Sequence, residues 1–343
     1  MKVARRLSAL LIGLVFFTAG FLKLMDPVGS GLIVEEYFKF FGLRFLAFSS
    51  KAVGYSAALL ETITGAALVT GVWRRISAIV SGAMLAFFTL ITLILLIFNP
   101  TMDCGCFGEA LHLTHFQSFA KNIILCGLWA LAFVPFSKIG EERKRKRINF
   151  AVAALAAFIF SLHALCSIPP MDFTPYAPGA ELGQSDGTML SFSDAEGDYL
   201  DEQAREGDVV IVSTYNPARL KDKALGSISA LFSDAISKDT RPMLLAASTP
   251  SDISTIIKDS TVLASTYFAD RRELLTLNRS NGGATLVSDG LVITKWPSRS
   301  IDKAEMLPGE TAADATMLMM SKKAARNLKT EGFILVLLAV ILL

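Results

Sequence analysis

Up to about residue 168 the apolar residues run in long unbroken blocks; beyond it they recur at short, alternating intervals. Five blocks, at about 7–24, 52–72, 76–98, 119–137 and 148–168, are each long enough for a helix to cross the bilayer, which takes about 20 residues. The first block follows Arg5 and Arg6 and imitates a secretory signal, but four further blocks make it the first of a series of spans. Between blocks one and two, Ile33, Tyr37, Phe40, Phe41, Phe45 and Phe48 recur at helical spacing, with Glu35, Glu36, Lys39 and Arg44 between them. This pattern predicts a helix within 27–51 that lies in the membrane interface or packs on the outer mouth of the bundle. The closing run Gly332–Leu343 is apolar but spans only about 18 Å as a helix, which suits a shallow anchor or a shortened sixth span.

After Pro169-Pro170 the pattern predicts alternating strands and helices. Asp208–Thr214 reads as a buried strand, 218–237 as a helix, Met243–Ser248 as a second strand and 251–259 as a second helix. Ala284–Val287 and Leu291–Trp296 then flank Ser288-Asp289-Gly290, a hairpin signal. Parallel strands joined by helices and closed by an antiparallel hairpin make a small α/β sheet. The order resembles the thioredoxin fold over about 180–300. Where a redox thioredoxin carries Cys-x-x-Cys, this chain has Tyr215, Asn216, Pro217 and Ala218, and Gly283-Ala284 replace the proline expected before the hairpin. With no thiolate to exchange, the domain is assigned a binding or structural role.

Composition sharpens this division. The 343 residues are 52% hydrophobic and 19% charged, below the roughly 25% charge of soluble domains. The net charge of +2 conceals segregation: residues 170–328 hold 16 Lys and Arg against 22 Asp and Glu. A purely soluble enzyme, a nucleic-acid binder with a broad basic face and a disordered chain are all excluded. Lys2, Arg5 and Arg6, then Arg74 and Arg75, then Arg143-Lys144-Arg145-Lys146-Arg147 fall on one side if the spans alternate. The positive-inside rule makes that side cytoplasmic and places the loop 99–118, without Lys or Arg, and residues 170–328 outside. The expected organisation is a transmembrane bundle over 1–137, a basic loop and fifth span over 138–169, an outward α/β domain over 170–328 and the apolar segment 329–343. The bilayer is the expected partner, and a bacterial cytoplasmic membrane with 170–328 in the periplasm is the expected location.

Candidate chemistry lies in the outward loop Asp103-Cys104-Gly105-Cys106-Phe107-Gly108-Glu109. Together with Phe17-Thr18-Ala19-Gly20-Phe21-Leu22-Lys23-Leu24, Asp26-Pro27 and Glu61, this loop resembles the DoxX-like membrane proteins, and within them the MauE methylamine-utilisation family, over about 1–137. The resemblance implies a small helical bundle with a redox or maturation role for disulfides outside the membrane. It identifies no substrate, and the appended outward domain departs from the bare family pattern.

Cys104 and Cys106 can close only a small, strained disulfide ring, which favours an exchanging bond over a structural one, and Gly105 tolerates the backbone angles required. Asp103 and Glu109 oppose thiolate formation. A structural pairing with Cys166, one helical turn after His163, is an alternative, as is Cys166 acting as a resolving thiol. A metal site of Cys104, Cys106, His112 and His115 is another. Cys126, within span four, reads as packing. Glu61 near mid-bilayer needs a partner or a proton, and Lys23 is the candidate partner; the pair would fix helix packing or take part in proton- or quinone-linked work. Two classes of function remain open: a thiol–disulfide or electron-transfer protein acting through Cys104 and Cys106, and a non-catalytic assembly factor that docks a client through its outward domain.

Overall fold

The computed structural model describes residues 2–139, 146–165, 167–183, 190–304 and 312–342. The segment 140–145, most of the basic loop, lies outside the described residues, as does Cys166. The chain forms two compact units, residues 1–165 with 331–343, and residues 166–330.

The first unit is a helical bundle: α1 (Lys2–Met25), α2 (Pro27–Phe40), α3 (Ser50–Thr70), α4 (Arg74–Phe98), α5 (His115–Phe133) and α6 (Arg147–Leu165). Five stretches, Val3–Met25, Arg44–Thr70, Arg74–Phe98, His115–Phe133 and Arg147–Leu165, are long and apolar enough to cross a membrane. Large apolar side chains such as Phe87, Leu90, Ile97, Ile124, Leu155 and Ile159 are exposed. On these helices exposed apolar faces are suited to lipid, and the protein is a multi-pass membrane protein.

The tightest helix contact is between α1 and α3, and glycine makes it possible. A Cβ on Gly65 would sit 2.3 Å from the Phe17 backbone nitrogen, and one on Gly20 would sit 2.5 Å from that of Thr62. Small residues at such crossings let backbones approach where lipid removes the hydrophobic drive for association. At the opposite end of α1, the Arg5 guanidinium donates to the Val134 carbonyl at 2.7 Å and to the Leu131 carbonyl, both at the C-terminal end of α5. A cation there satisfies carbonyls that the helix itself leaves unpaired.

The helix expected over 27–51 is divided. Asp26 caps α2 by accepting from the Gly29 N–H at 2.9 Å, with Pro27 in the first helical turn. Past Phe40, Gly42 takes φ +72°, a left-handed angle that ends the helix, and a 3-10 turn over Arg44–Ser49 follows. Part of the segment packs on the bundle. The glycine face of α2 packs on α3, where Gly54 meets the Ser30 carbonyl, while Phe45 and Phe48 are 72% and 87% exposed.

The second unit is a five-stranded sheet with strands β2 (Asp208–Thr214), β3 (Arg241–Ala246), β4 (Thr266–Phe268), β5 (Gly283–Ser288) and β6 (Leu291–Trp296), ordered β4-β3-β2-β5-β6. β2 runs parallel to β3 and antiparallel to β5, and β5 pairs with β6 in the expected hairpin. Helices α7 (Asp222–Ser237), α8 (Pro250–Ile256), α9 (Ser260–Ala264) and α10 (Arg271–Leu277) connect the strands. Period-two patterning sorts the side chains: Val210, Val212, Leu244 and Leu286 meet Ile228 and Phe232 of α7, while Val209, Ile211, Met243 and Leu245 meet Phe192, Leu274 and Leu277. This mixed α/β sheet is compatible with the thioredoxin-like arrangement. β4 and α10 escape the sequence reading because a three-residue edge strand carries too little periodicity.

The apolar tail is not a separate element. It ends α11 (Ala312–Leu342), a helix of 31 residues. In the second unit Met319 of α11 joins the sheet core. In the first, Phe333 stacks on Phe160 at 5.1 Å between ring centroids, and Asn149 donates to the Val340 carbonyl at 3.0 Å. The tail is thus a further helix of the first unit, lying along α6.

Gly65→Leu is expected to lower the melting temperature of the purified protein sharply or abolish its folding, because the side chain meets backbone that cannot give way; overpacking alone costs about 1–3 kcal/mol. Gly127→Leu, with nothing within 4 Å of the added Cβ, is expected to melt like the parent. Equal melting of the two variants in detergent would remove the α1–α3 crossing as a determinant of the fold.

Candidate functional site

The Cys-Gly-Cys loop folds back onto the bundle as the short strand β1 (Cys106–Glu109), which packs against α1 and α2. Gly105 is required twice over: its φ is +60°, and a Cβ there would lie 2.5 Å from the Ile33 Cγ2 atom on α2. Gly108 lies over the stem of Lys23, whose Cγ would be 3.6 Å from an added Cβ. These approaches set the two cysteines into different surroundings.

Cys104 is buried. Its Sγ lies 2.7 Å from the Ser118 hydroxyl of α5, and its backbone carbonyl accepts from the Tyr37 hydroxyl of α2 at 2.7 Å. Burial pushes the Tyr37 hydroxyl well above its ordinary pKa, so it remains a donor. Cys106 is half-buried, and Cys104, Lys121 of α5 and Lys23 of α1 are the groups that act on its thiol. The Cys104 hydrogen bond first, and then the charges of Lys121 and Lys23, pull the Cys106 thiol down to about 5 against the opposing effect of burial. Donating to Cys106, and then burial, push the Cys104 thiol up. The two shifts run in opposite directions and favour the thiolate on Cys106 over Cys104.

Below the loop, Lys23 Nζ lies 2.6 Å from Glu61 Oε2, both largely buried, and 5.7 Å from the centre of the Phe88 ring. The ammonium of Lys121 lies 5.0 Å from the centre of the Phe107 ring. Glu61, Lys23, Lys121 and Cys106 thus cluster at the end of the bundle that carries the Cys-Gly-Cys loop, with Cys104, Ser118 and Tyr37 bordering them.

The other candidates are placed elsewhere. Asp103 pairs with His112 Nδ1 at 2.9 Å on an exposed stretch, and His115 Nε2 bonds the Pro100 carbonyl at 3.0 Å. The structure does not bring the two histidines together with the two sulfurs, and among the described residues no group of three or more His, Cys, Asp and Glu is arranged to hold a metal. Glu109 ends β1. Cys126 lies 3.5 Å from the Thr89 hydroxyl, a packing contact between α4 and α5. Cys104, Cys106 and Cys126 are free thiols.

Sequence reasoning missed Lys121, Ser118 and Tyr37. Lys121 carried a usable signal, since a lysine inside an otherwise apolar span is costly unless it has a partner. Ser118 and Tyr37 carried none, because only the folding of the loop brings them to Cys104.

In the second unit, the position after β2 is closed by amides. Asn281 accepts from the Asn216 N–H at 2.9 Å and donates to the Asn216 carbonyl at 2.9 Å, and its side-chain oxygen also accepts from the Thr214 hydroxyl. A polar clasp occupies the place of a redox motif.

Residues 1–135 match the family model for methylamine utilisation protein MauE. This bears out the MauE-like character of the N-terminal segment. No curated protein and no solved structure matches the chain.

Because its pKa is lowered, Cys106 is expected to stay thiolate, and to alkylate at a constant rate, from neutral pH down to about pH 6, and to slow as pH falls through about 5. Lys121→Met is expected to move this midpoint upward by about one unit or more. Iodoacetamide labelling of a protein lacking Cys126 and Cys166, followed by mass spectrometry across pH, reads both; a midpoint near 9 would mean that the lysines leave the thiol unperturbed.

Proposed function

We propose that this protein exchanges thiols and disulfides on the outer side of a bacterial cytoplasmic membrane, with Cys106 as the attacking thiolate and Cys104 as the resolving partner. What supports the reading is the lowered pKa of the Cys106 thiol, on which Cys104, Lys121 and Lys23 act, in a loop that packs over Lys23. A purely structural cysteine needs no such cluster of donors, whereas a nucleophilic one does. The mechanism has two steps. The Cys106 thiolate attacks one sulfur of a client disulfide, forming a mixed disulfide and releasing the other client sulfur as a thiolate. Cys104 then gives up its proton and attacks Cys106 Sγ, closing the Cys104–Cys106 disulfide and releasing the second client thiolate. The reverse sequence oxidises a client dithiol.

The orientation comes from the lysine and arginine clusters, which favour an outward position for the loop 99–118 and for residues 170–328. An oxidising compartment on that side would let the pair cycle. The outward domain is assigned client docking without chemistry, because it has no cysteine after Cys166 and has the Asn216–Asn281 clasp at the end of β2. That domain also keeps a second reading in place, an assembly factor that works by docking alone.

Cys104→Ser is expected to accumulate reductant-sensitive adducts with thiol clients through Cys106, because nothing resolves them, and Cys106→Ser is expected to accumulate far fewer. Non-reducing gels of membranes from cells carrying each variant distinguish them. If both single variants retain full function, the docking-only reading replaces this one. Alkaline phosphatase fused after residue 250 is expected to be active and after residue 145 silent; the opposite pattern would invert the topology.

A further inference from the structure

Helix α11 turns one face to the bundle and leaves the other bare. Leu337 and Ile341 are buried, Phe333 stacks on Phe160 of α6, and Asn149 and Lys146 donate to the carbonyls of Val340 and Leu342. On the opposite face Leu328, Leu335 and Leu342 are 72%, 66% and 50% exposed, and Ala325, Gly332 and Ala339 between them are exposed as well. A Cβ added at Gly332 would meet nothing within 4 Å. The pattern is a small residue followed three positions on by leucine, repeated every seven residues. This is the seam of a helix that packs lengthwise on another helix.

Charge argues against lipid as the cover. The Leu342 carbonyl accepts from Lys146 at 2.8 Å, beside the first turn of α6, so α11 runs antiparallel to that span. Glu331 then sits about 17 Å of helix above Leu342, inside the roughly 30 Å of hydrocarbon. Glu331 and its neighbour Lys329 are exposed, and among the described residues neither has a hydrogen bond or ion pair. An unpaired charge at that depth is costly, and such groups turn toward protein. Lys329 and Glu331 flank the seam on opposite sides. Two copies inserted in the same sense are related by an axis along the membrane normal, so their α11 helices meet parallel and in register. That axis brings Lys329 of one copy to the flank that holds Glu331 of the other, about 3 Å apart along the helix and within side-chain reach.

We propose that the protein forms a parallel two-fold dimer through α11, with Ala325, Leu328, Gly332, Leu335, Ala339 and Leu342 in the seam and a Lys329–Glu331 pair on each flank. Glycine and alanine let the two backbones approach, and leucine fills the space between them.

Two differently tagged full-length copies, expressed together and extracted under reducing conditions, are expected to co-purify. Gly332→Ile in both is expected to lower the captured fraction about fivefold or more while the melting temperature holds, because the added side chain meets nothing in its own copy. Glu331→Lys is expected to lower it too, and Lys329→Glu added to Glu331→Lys to restore it, since the double exchange re-forms both pairs. The face itself is read by cysteine cross-linking in membranes, in the chain stripped of its native cysteines. Leu335→Cys and Ala339→Cys are expected to give disulfide-linked dimers about tenfold more readily than Leu155→Cys, an exposed position on α6. Co-purification that is absent, or that is unmoved by Gly332→Ile, overturns the dimer; equal cross-linking at 335, 339 and 155 gives the face to lipid and overturns it as well. The tagged copies keep every native cysteine, so loss of folding in the stripped chain does not shield the proposal.

Discussion

Lys23 and Glu61 meet at 2.6 Å among apolar helices, and much of the first unit is arranged around that contact. A carboxylate or an ammonium inside a bilayer is costly alone, so each makes the other tolerable. They come from α1 and α3, which can approach closely because Gly20 and Gly65 carry no side chain at the crossing. The ion pair and the glycine crossing support each other: the close approach positions the charges, and the charges oppose any sliding of one helix along the other.

The loop carrying the two cysteines is built onto this platform. Ile33 leaves room only for glycine at position 105, and the stem of Lys23 lies beneath Gly108. Two residues that look equivalent in sequence therefore end in unlike places. Cys104 is pressed against Ser118, whereas Cys106 lies beside Lys121 and Lys23. The asymmetry depends on the bundle more than on the loop, since the lysines that distinguish the two sulfurs belong to α1 and α5.

The second unit meets its stability needs differently. Both faces of its sheet are covered, so β2, β3 and β5 are almost wholly buried and their side chains alternate between two apolar layers. One buried ion pair, Lys295 to Asp172 at 2.7 Å, fastens the segment that follows the fifth span to β6. At the end of β2 the asparagine clasp satisfies the backbone of Asn216 internally.

The five spans, the buried strand Asp208–Thr214 and the hairpin around Asp289-Gly290 could be read directly from the sequence, because each is a local pattern of apolar length, period or turn chemistry. The Lys23–Glu61 partnership could be read as well, since two charges in apolar spans have few alternatives. Other features were beyond any local pattern. The apolar tail belongs to a 31-residue helix because of partners on α6, far away in sequence. The helix expected over 27–51 breaks after Phe40, where the chain turns at Gly42. His112 and His115 share a loop with the cysteines, yet they turn to Asp103 and to the Pro100 carbonyl. Lys121 reaches Cys106 only because α5 packs beside α1. Residue type and spacing determined which groups were available for chemistry. Tertiary packing decided which of them meet, because the distances that set a thiol's charge are distances between helices.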